Sequence, residues 1–192
     1  PDIFAPAYQD WVEELVADVC SRYTDDPMMM GYYYGFGTFI RPQSWIDSIS
    51  SLDSEAPEQE NIRKMAVHLY RMVHDAIGRH DPNHLILGPY VKEQSFDIET
   101  WKALTPYVDM LSPQHFNRNI SFAEQSAATG RAVLVSDEES GHIFEASRQN
   151  PHSVTSEHKG RVYSLLLDRH LRDSNVCGVT FCATLYALDD GP

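Results

Sequence analysis

The sequence predicts an α/β fold built on a parallel sheet of about five strands, and three observations carry that prediction. Four short apolar runs, at residues 28–35, 84–90, 108–115 and 132–139, each end in polar or small residues, and a fifth closes the series at 176–182. A helical pattern follows nearly every run. The runs are continuously apolar rather than alternating, as expected of strands buried on both faces. Right-handed crossovers between such strands give a parallel sheet, and functional residues in these folds gather at the carboxyl ends of the strands. No linker or low-complexity segment divides the chain, which predicts one domain over residues 1–192.

The elements follow in order. From Tyr8, the apolar positions Trp11, Val12, Leu15, Val16, Val19, Cys20 and Tyr23 recur at helical spacing, which predicts an amphipathic helix with this stripe facing inward. Asp25-Asp26-Pro27 stops it, and the first strand follows. Gly35-Phe36-Gly37 lacks the third glycine and the following helix of a phosphate-binding turn, so it reads as a loop. Residues 36–56 suggest a strand-to-helix connection with a short helix inside it. A second helix runs over 58–77 with Ile62, Met65, Leu69, Met72, Val73, Ala76 and Ile77 inward, ended by Gly78 and Asp81-Pro82-Asn83. Strand 84–87 comes next.

Asp97 caps a short helix through Leu104, and Pro106 turns the chain into a strand at 107–111. Ser121 caps a helix to Ala128, Thr129-Gly130 ends it, and strand 132–136 follows. Residues 140–153 read as a loop. Helix 155–172 carries Val162, Leu165, Leu166 and His170 or Leu171 on its inner face, before strand 176–182. Two closures fit this order: an open doubly wound sheet, or part of a (β/α)₈ barrel. The absence of a G-x-G-x-x-G turn disfavours a nucleotide-binding sheet.

With a net charge of −13 and no basic patch, the chain repels phosphate backbones, which argues against nucleic acid as a partner. No apolar stretch has the length of a membrane span. The chain opens on Pro1-Asp2-Ile3 without a basic leader, which suggests a processed or excised piece. The three cysteines give no disulfide framework and no zinc-ligand spacing. Cys20 and Cys177 read as small core residues, whereas Cys182 stands at a strand end where it could line a site.

Asp137-Glu138-Glu139 ends the most apolar strand. Carboxylates there cost free energy unless they have partners or a task. They suit a glycosidase nucleophile or general acid/base; the alternative is a strand-end acid that caps the next element or pairs with an arginine. Gln114 and His115, at another strand end, could hydrogen-bond sugar hydroxyls. Tyr32, Tyr33 and Tyr34 offer aromatic faces on which sugar rings stack, although alternation along a strand sends at least one of them into the core. Tyr90 and Lys92 follow the second strand as lining candidates. His115, Asp137 and His142 could converge as metal ligands, but no metal-binding spacing supports them, and no metal or cofactor is expected. Ser136 lacks the turn of a nucleophile elbow.

These strand-end phrases together resemble a known family. Asp25-Asp26-Pro27 with Gly31-Tyr32-Tyr33, Asp81-Pro82-Asn83-His84-Leu85-Ile86-Leu87-Gly88, Tyr107-Val108-Asp109-Met110-Leu111-Ser112 and Ala132-Val133-Leu134-Val135-Ser136-Asp137 resemble, in order, the agarase-like glycoside hydrolases of the retaining (β/α)₈ clan. The resemblance implies an incomplete TIM-barrel-type fold, with this chain holding strands four to eight. It implies hydrolysis of a polysaccharide or oligosaccharide with a galactan-type β-linkage, in an extracellular or periplasmic setting. It places the strand-seven carboxylate at Asp137 or Glu138, and the strand-end positions themselves add Tyr33, Tyr34, Tyr90, Gln114, His115 and Cys182 as sugar-binding candidates. The family's acid/base glutamate after strand four aligns with Gly37, which opens the alternative of a sugar-binding relative without that acid. A metal-assisted barrel hydrolase is a weaker alternative. Two open sheet edges imply a homodimer or poor solubility.

Overall fold

The computed structural model describes residues 2–37, 49, 51–92, 96–114, 121–138 and 155–181. In order they form α1 (Pro6–Tyr23), β1 (Gly31–Gly37), α2 (Glu58–His80), β2 (Leu85–Lys92), α3 (Ile98–Leu104), a 3₁₀ turn (Thr105–Tyr107), β3 (Pro113–Gln114), α4 (Phe122–Thr129), β4 (Val133–Glu138), α5 (Ser156–Leu171) and β5 (Val176–Phe181). The strands lie in the order β1-β2-β3-β4-β5, and each neighbouring pair is parallel. A doubly wound sheet reverses its strand order at a switch point. This sheet progresses in one direction, so right-handed crossovers put its helices on a single face. Among the described residues, no helix covers the other face.

Local sequence accounts for the elements. Pro6 opens α1, where its missing N–H costs nothing. The Asp97 side chain accepts from the Thr100 amide at 2.7 Å and caps α3. Ser121 and Glu124 form a reciprocal capping box on α4, and Gly130, at φ 68°, closes that helix in the left-handed region. α2 runs through Gly78 to His80 instead of ending at the glycine, and the chain turns extended only at Asp81.

Two strands differ from expectation. Gly35-Phe36-Gly37 belongs to β1 rather than to a loop, in register with β2 at Phe36↔Tyr90 and Gly37↔Val91. The run at 107–111 is not a full strand: it holds the 3₁₀ turn and a single bridge from Leu111 to Val133, and β3 begins only at Pro113. Pro106 and Pro113 remove backbone donors from this stretch. Asp109 compensates in part, because its carboxylate accepts from the Ile86 amide at 2.8 Å while its own amide donates to Ile86 O at 2.8 Å.

One core cluster joins Ile62, Ala66 and Tyr70 of α2 to Trp101, Leu104, Phe122, Val133, Val135 and Val176. A second joins Val12 and Cys20 of α1 to Val73, Ile77, Tyr32 and Ile86. The inner stripe expected for α1 is only half buried. Trp11 is 53% exposed, and Leu15 and Tyr23 are exposed as well. The helix packs on α2 beside β1, which is at the edge of the described strands, so part of its apolar face has none of them beneath it. On α5, His170 is buried, whereas Leu165 and Leu171 point to solvent. Cys177 is also exposed, contrary to the core role expected of it, because it lies on the face of β5 opposite the packed Val176.

Candidate functional site

The face of the sheet opposite the described helices carries a layer of hydroxyl groups. Ser112 Oγ donates to Leu87 O at 2.6 Å, and Ser136 Oγ donates to Ser112 O at 2.9 Å, so hydroxyls link β2, the start of β3 and β4 across the sheet. Both serines are buried and both are satisfied. Tyr33 of β1 completes the layer. Its hydroxyl lies within hydrogen-bonding reach of the side chains of Ser112 and of Thr180 on β5. Burial of the hydroxyl pushes the Tyr33 pKa up, and the two neighbouring hydroxyls partly offset this. The residue as a whole is 37% exposed, although its hydroxyl is desolvated.

The contact between Tyr33 and Thr180 sets the shape of the sheet. In a flat sheet β1 and β5 lie four strand spacings apart, roughly 19 Å. No tyrosine side chain spans that distance, so the sheet curls and its first and last strands face each other across the hydroxyl layer. Packing on this inner face is close at Gly178, where a Cβ would come within 2.9 Å of Leu134 Cδ1.

Backbone register carries the sequence-predicted residues to one rim. Phe36 and Gly37 of β1 pair with Tyr90 and Val91 of β2, Lys92 pairs with Gln114, Gln114 pairs with Ser136, and Glu138 pairs with Phe181. Tyr90, Gln114, Asp137 and Glu138 therefore stand on strands at the carboxyl end of the sheet, and Gly37 ends β1 at the same edge. The β4–β5 register shifts by one residue between Val135 and Glu138. Such a bulge re-aims the residues beside it, so alternation counted from Ser136 does not decide between Asp137 and Glu138. Tyr34 continues β1, while His115, His142 and Cys182 lie outside the described residues. No cluster of three metal-ligating side chains occurs among the described residues.

Tyr32 is sent into the core. It is buried between the sheet and α1 and α2, and its hydroxyl donates to Asp81 Oδ2 at 2.5 Å. Sequence reasoning missed the hydroxyl layer altogether. Its only trace in sequence is a serine or threonine near the end of three apolar runs, Ser112, Ser136 and Thr180, a pattern too common to single out.

Neither a family model nor a curated protein matches the chain. Solved structures do match its fold. An agarase, AgWH50C, superposes with a TM-score of 0.64 at 14% identity, covering 94% of this chain and 33% of the agarase. PfGH50B gives 0.66 at 14% identity, covering 94% and 34%. An exo-beta-agarase gives 0.64 at 13% identity, again covering 94% and 34%. The chain thus shares the fold of about a third of these proteins, at identities that establish the fold alone.

Proposed function

We propose that this chain is the carboxyl-terminal part of a (β/α)₈ barrel-type glycoside hydrolase acting on a polysaccharide or oligosaccharide of the galactan type. The observation that carries the reading is the pair Asp137 and Glu138 at the carboxyl end of β4, in a singly wound, curled parallel sheet with the fold of agarases. Carboxylates at that place suit nucleophilic or general acid/base work at a glycosidic bond. Tyr33 offers an aromatic ring for a sugar to stack on. Tyr34, Tyr90, Gln114, His115 and Cys182 complete the proposed sugar-binding set.

One residue favours a second reading. Gly37, at the rim position that the resemblance gives to the acid/base, has no side chain to protonate a leaving group. A barrel relative that binds sugar without cleaving it fits this residue better. The experiment is a panel of β-linked galactans and glucans assayed for release of reducing ends, beside calorimetric titration with galactan oligosaccharides. Hydrolysis supports the first reading. Binding without hydrolysis supports the second. Activity abolished by chelation would instead favour the metal-assisted alternative, and neither binding nor hydrolysis would overturn the carbohydrate reading.

The partner proposed for the sheet edges is a second copy of this chain. β1 and β5 each lack a neighbour on one side among the described strands, and unpaired edges recruit strands. The helices flanking those edges expose Trp11 and Leu15 on α1 and Tyr163 and Leu165 on α5. Their charges also complement each other: α1 carries Asp10, Glu13, Glu14 and Asp18 against Arg22, whereas α5 carries Lys159, Arg161 and Arg169 against Glu157 and Asp168. A two-fold axis along the curl of the sheet would set α1 of one copy against α5 of the other.

A further inference from the structure

At the end of the sheet opposite the rim, a buried cluster joins the turn after α1, the end of α2 and the first residues of β1 and β2. Asp81, 1% exposed, follows the last turn of α2. Its Oδ1 accepts from the Asn83 amide at 2.9 Å and the His84 amide at 3.3 Å. Its Oδ2 accepts from the Tyr32 hydroxyl at 2.5 Å and lies 2.7 Å from His84 Nδ1. The other ring nitrogen, Nε2, lies 3.0 Å from the carbonyl oxygen of Asp26.

Both ring nitrogens of His84 therefore face acceptors that have no proton to give, a carboxylate and a backbone carbonyl. A neutral imidazole carries one N–H and can satisfy only one of them. We propose that His84 is held as the imidazolium and clamps the α1–β1 turn to the start of β2, so that loss of this proton releases the turn.

The groups facing the ring agree. Asp81 from the end of α2 and the Asp26 carbonyl from the turn hold the His84 pKa above its ordinary value, and the Asp26 carboxylate adds to this. Tyr32 of β1 meets the ring edge-on at a centroid distance of 6.1 Å. Cys20 of α1 lies behind it against Tyr32, and burial raises its thiol pKa, so it stays neutral at the pH that concerns the clamp. No cation faces the ring in the cluster as described. The turn bears directly on β1: Met30 O, at its end, accepts from the Leu85 amide at 3.2 Å and aligns the strand that carries Tyr33.

The test is nitrogen NMR of the whole chain, with the His84 ring assigned through its backbone resonances. Both ring nitrogens should be protonated at pH 7.5, with a titration midpoint above the ordinary histidine value of about 6.5. Amide exchange at residues 26 and 28–31, corrected for its intrinsic pH dependence, should accelerate at least several-fold as His84 titrates. In Asp81→Asn the midpoint should fall. A neutral ring at pH 7.5, or exchange that ignores the titration, overturns the clamp. If Asp81→Asn does not fold, the two wild-type measurements still decide.

Discussion

Tyr33 on the first strand of the sheet meets Thr180 on the last, hydroxyl to hydroxyl, over Ser112. This relationship curls five parallel strands into a trough and places an aromatic ring on its inner wall. Removing the hydroxyl should loosen the trough without emptying it. Tyr33→Phe leaves the ring and breaks two links between strands, so it should cost about 1 kcal/mol, the usual net value of such bonds. Urea unfolding followed by tryptophan fluorescence measures this. An unchanged midpoint would mean that the hydroxyl contacts contribute nothing to closure.

Four glycines should respond differently to alanine. At Gly31 a Cβ would sit 2.2 Å from Leu85 O, against backbone in the neighbouring strand. Gly31→Ala must push β1 and β2 apart and should cost about 1–3 kcal/mol, as overpacking does. Gly88 and Gly130 hold φ angles of 73° and 68°, so alanine at either should cost roughly 1–2 kcal/mol through strain alone. Gly78→Ala, on an open face in the last turn of α2, should instead stabilise by about 0.5 kcal/mol. Thermal melts of the four variants give the ranking, and a destabilised Gly78→Ala would contradict it.

Asp81 should make the chain acid-sensitive in a narrow window. Burial opposes its charge, but the Tyr32 hydroxyl, the two backbone amides and His84 outweigh that and hold its pKa at about 2. The ordinary value in an unfolded chain is about 3.9. A pKa lowered by folding adds stability that is complete above the unfolded value and lost as pH falls through the folded one. Melting temperature should therefore drop between about pH 4 and pH 2, with a shallower drop in Asp81→Asn. Equal slopes in both proteins would remove Asp81 from the acid response.

The sequence made the order of elements legible because its signals were local. The Asp97 cap, the Ser121 cap with Gly130 after it, and the apolar run at β4 each act within a few residues. What it hid was set across the chain. The inner stripe of α1 fitted a helix buried along its length, but the position of that helix at the edge of the described strands left Trp11 and Leu15 in solvent. Cys177 looked like core because a continuous apolar run does not say which face is packed. The hydroxyl layer depends on Ser112, Ser136 and Thr180 meeting across strands, and strand register cannot be counted from one chain segment. Asp137 and Glu138 stood out in the sequence because a carboxylate after an apolar strand is conspicuous on its own.

The exposed apolar flanks predict the assembly state. If a second copy covers α1 and α5, Trp11→Glu should weaken the dimer by setting a new carboxylate among the exposed apolar residues. Arg161→Glu should weaken it further by reversing the charge that faces the acidic helix. Sedimentation at several protein concentrations should show a dimer that dissociates at least tenfold more readily in Trp11→Glu and tightens as salt is lowered. A wild-type monomer at all concentrations would instead leave the edges to a different segment.

The carboxylates of β4 can be told apart by kinetics. The bulge between Val135 and Glu138 leaves two residues eligible for one position, and a retaining mechanism needs a single carboxylate at a defined distance from the sugar. Asp137→Asn and Glu138→Gln keep the volume nearly constant and remove the charge. The variant that loses the nucleophile should lose at least a thousandfold in kcat on a galactan oligosaccharide, about 4 kcal/mol of barrier. The other should change KM more than kcat, because its residue would only contact the sugar. Binding measured by calorimetry should survive in both, since stacking on Tyr33 does not need the carboxylate. Equal, small losses in the two variants would show that neither attacks, and with Gly37 unable to supply a proton the chain would then be left with binding as its function.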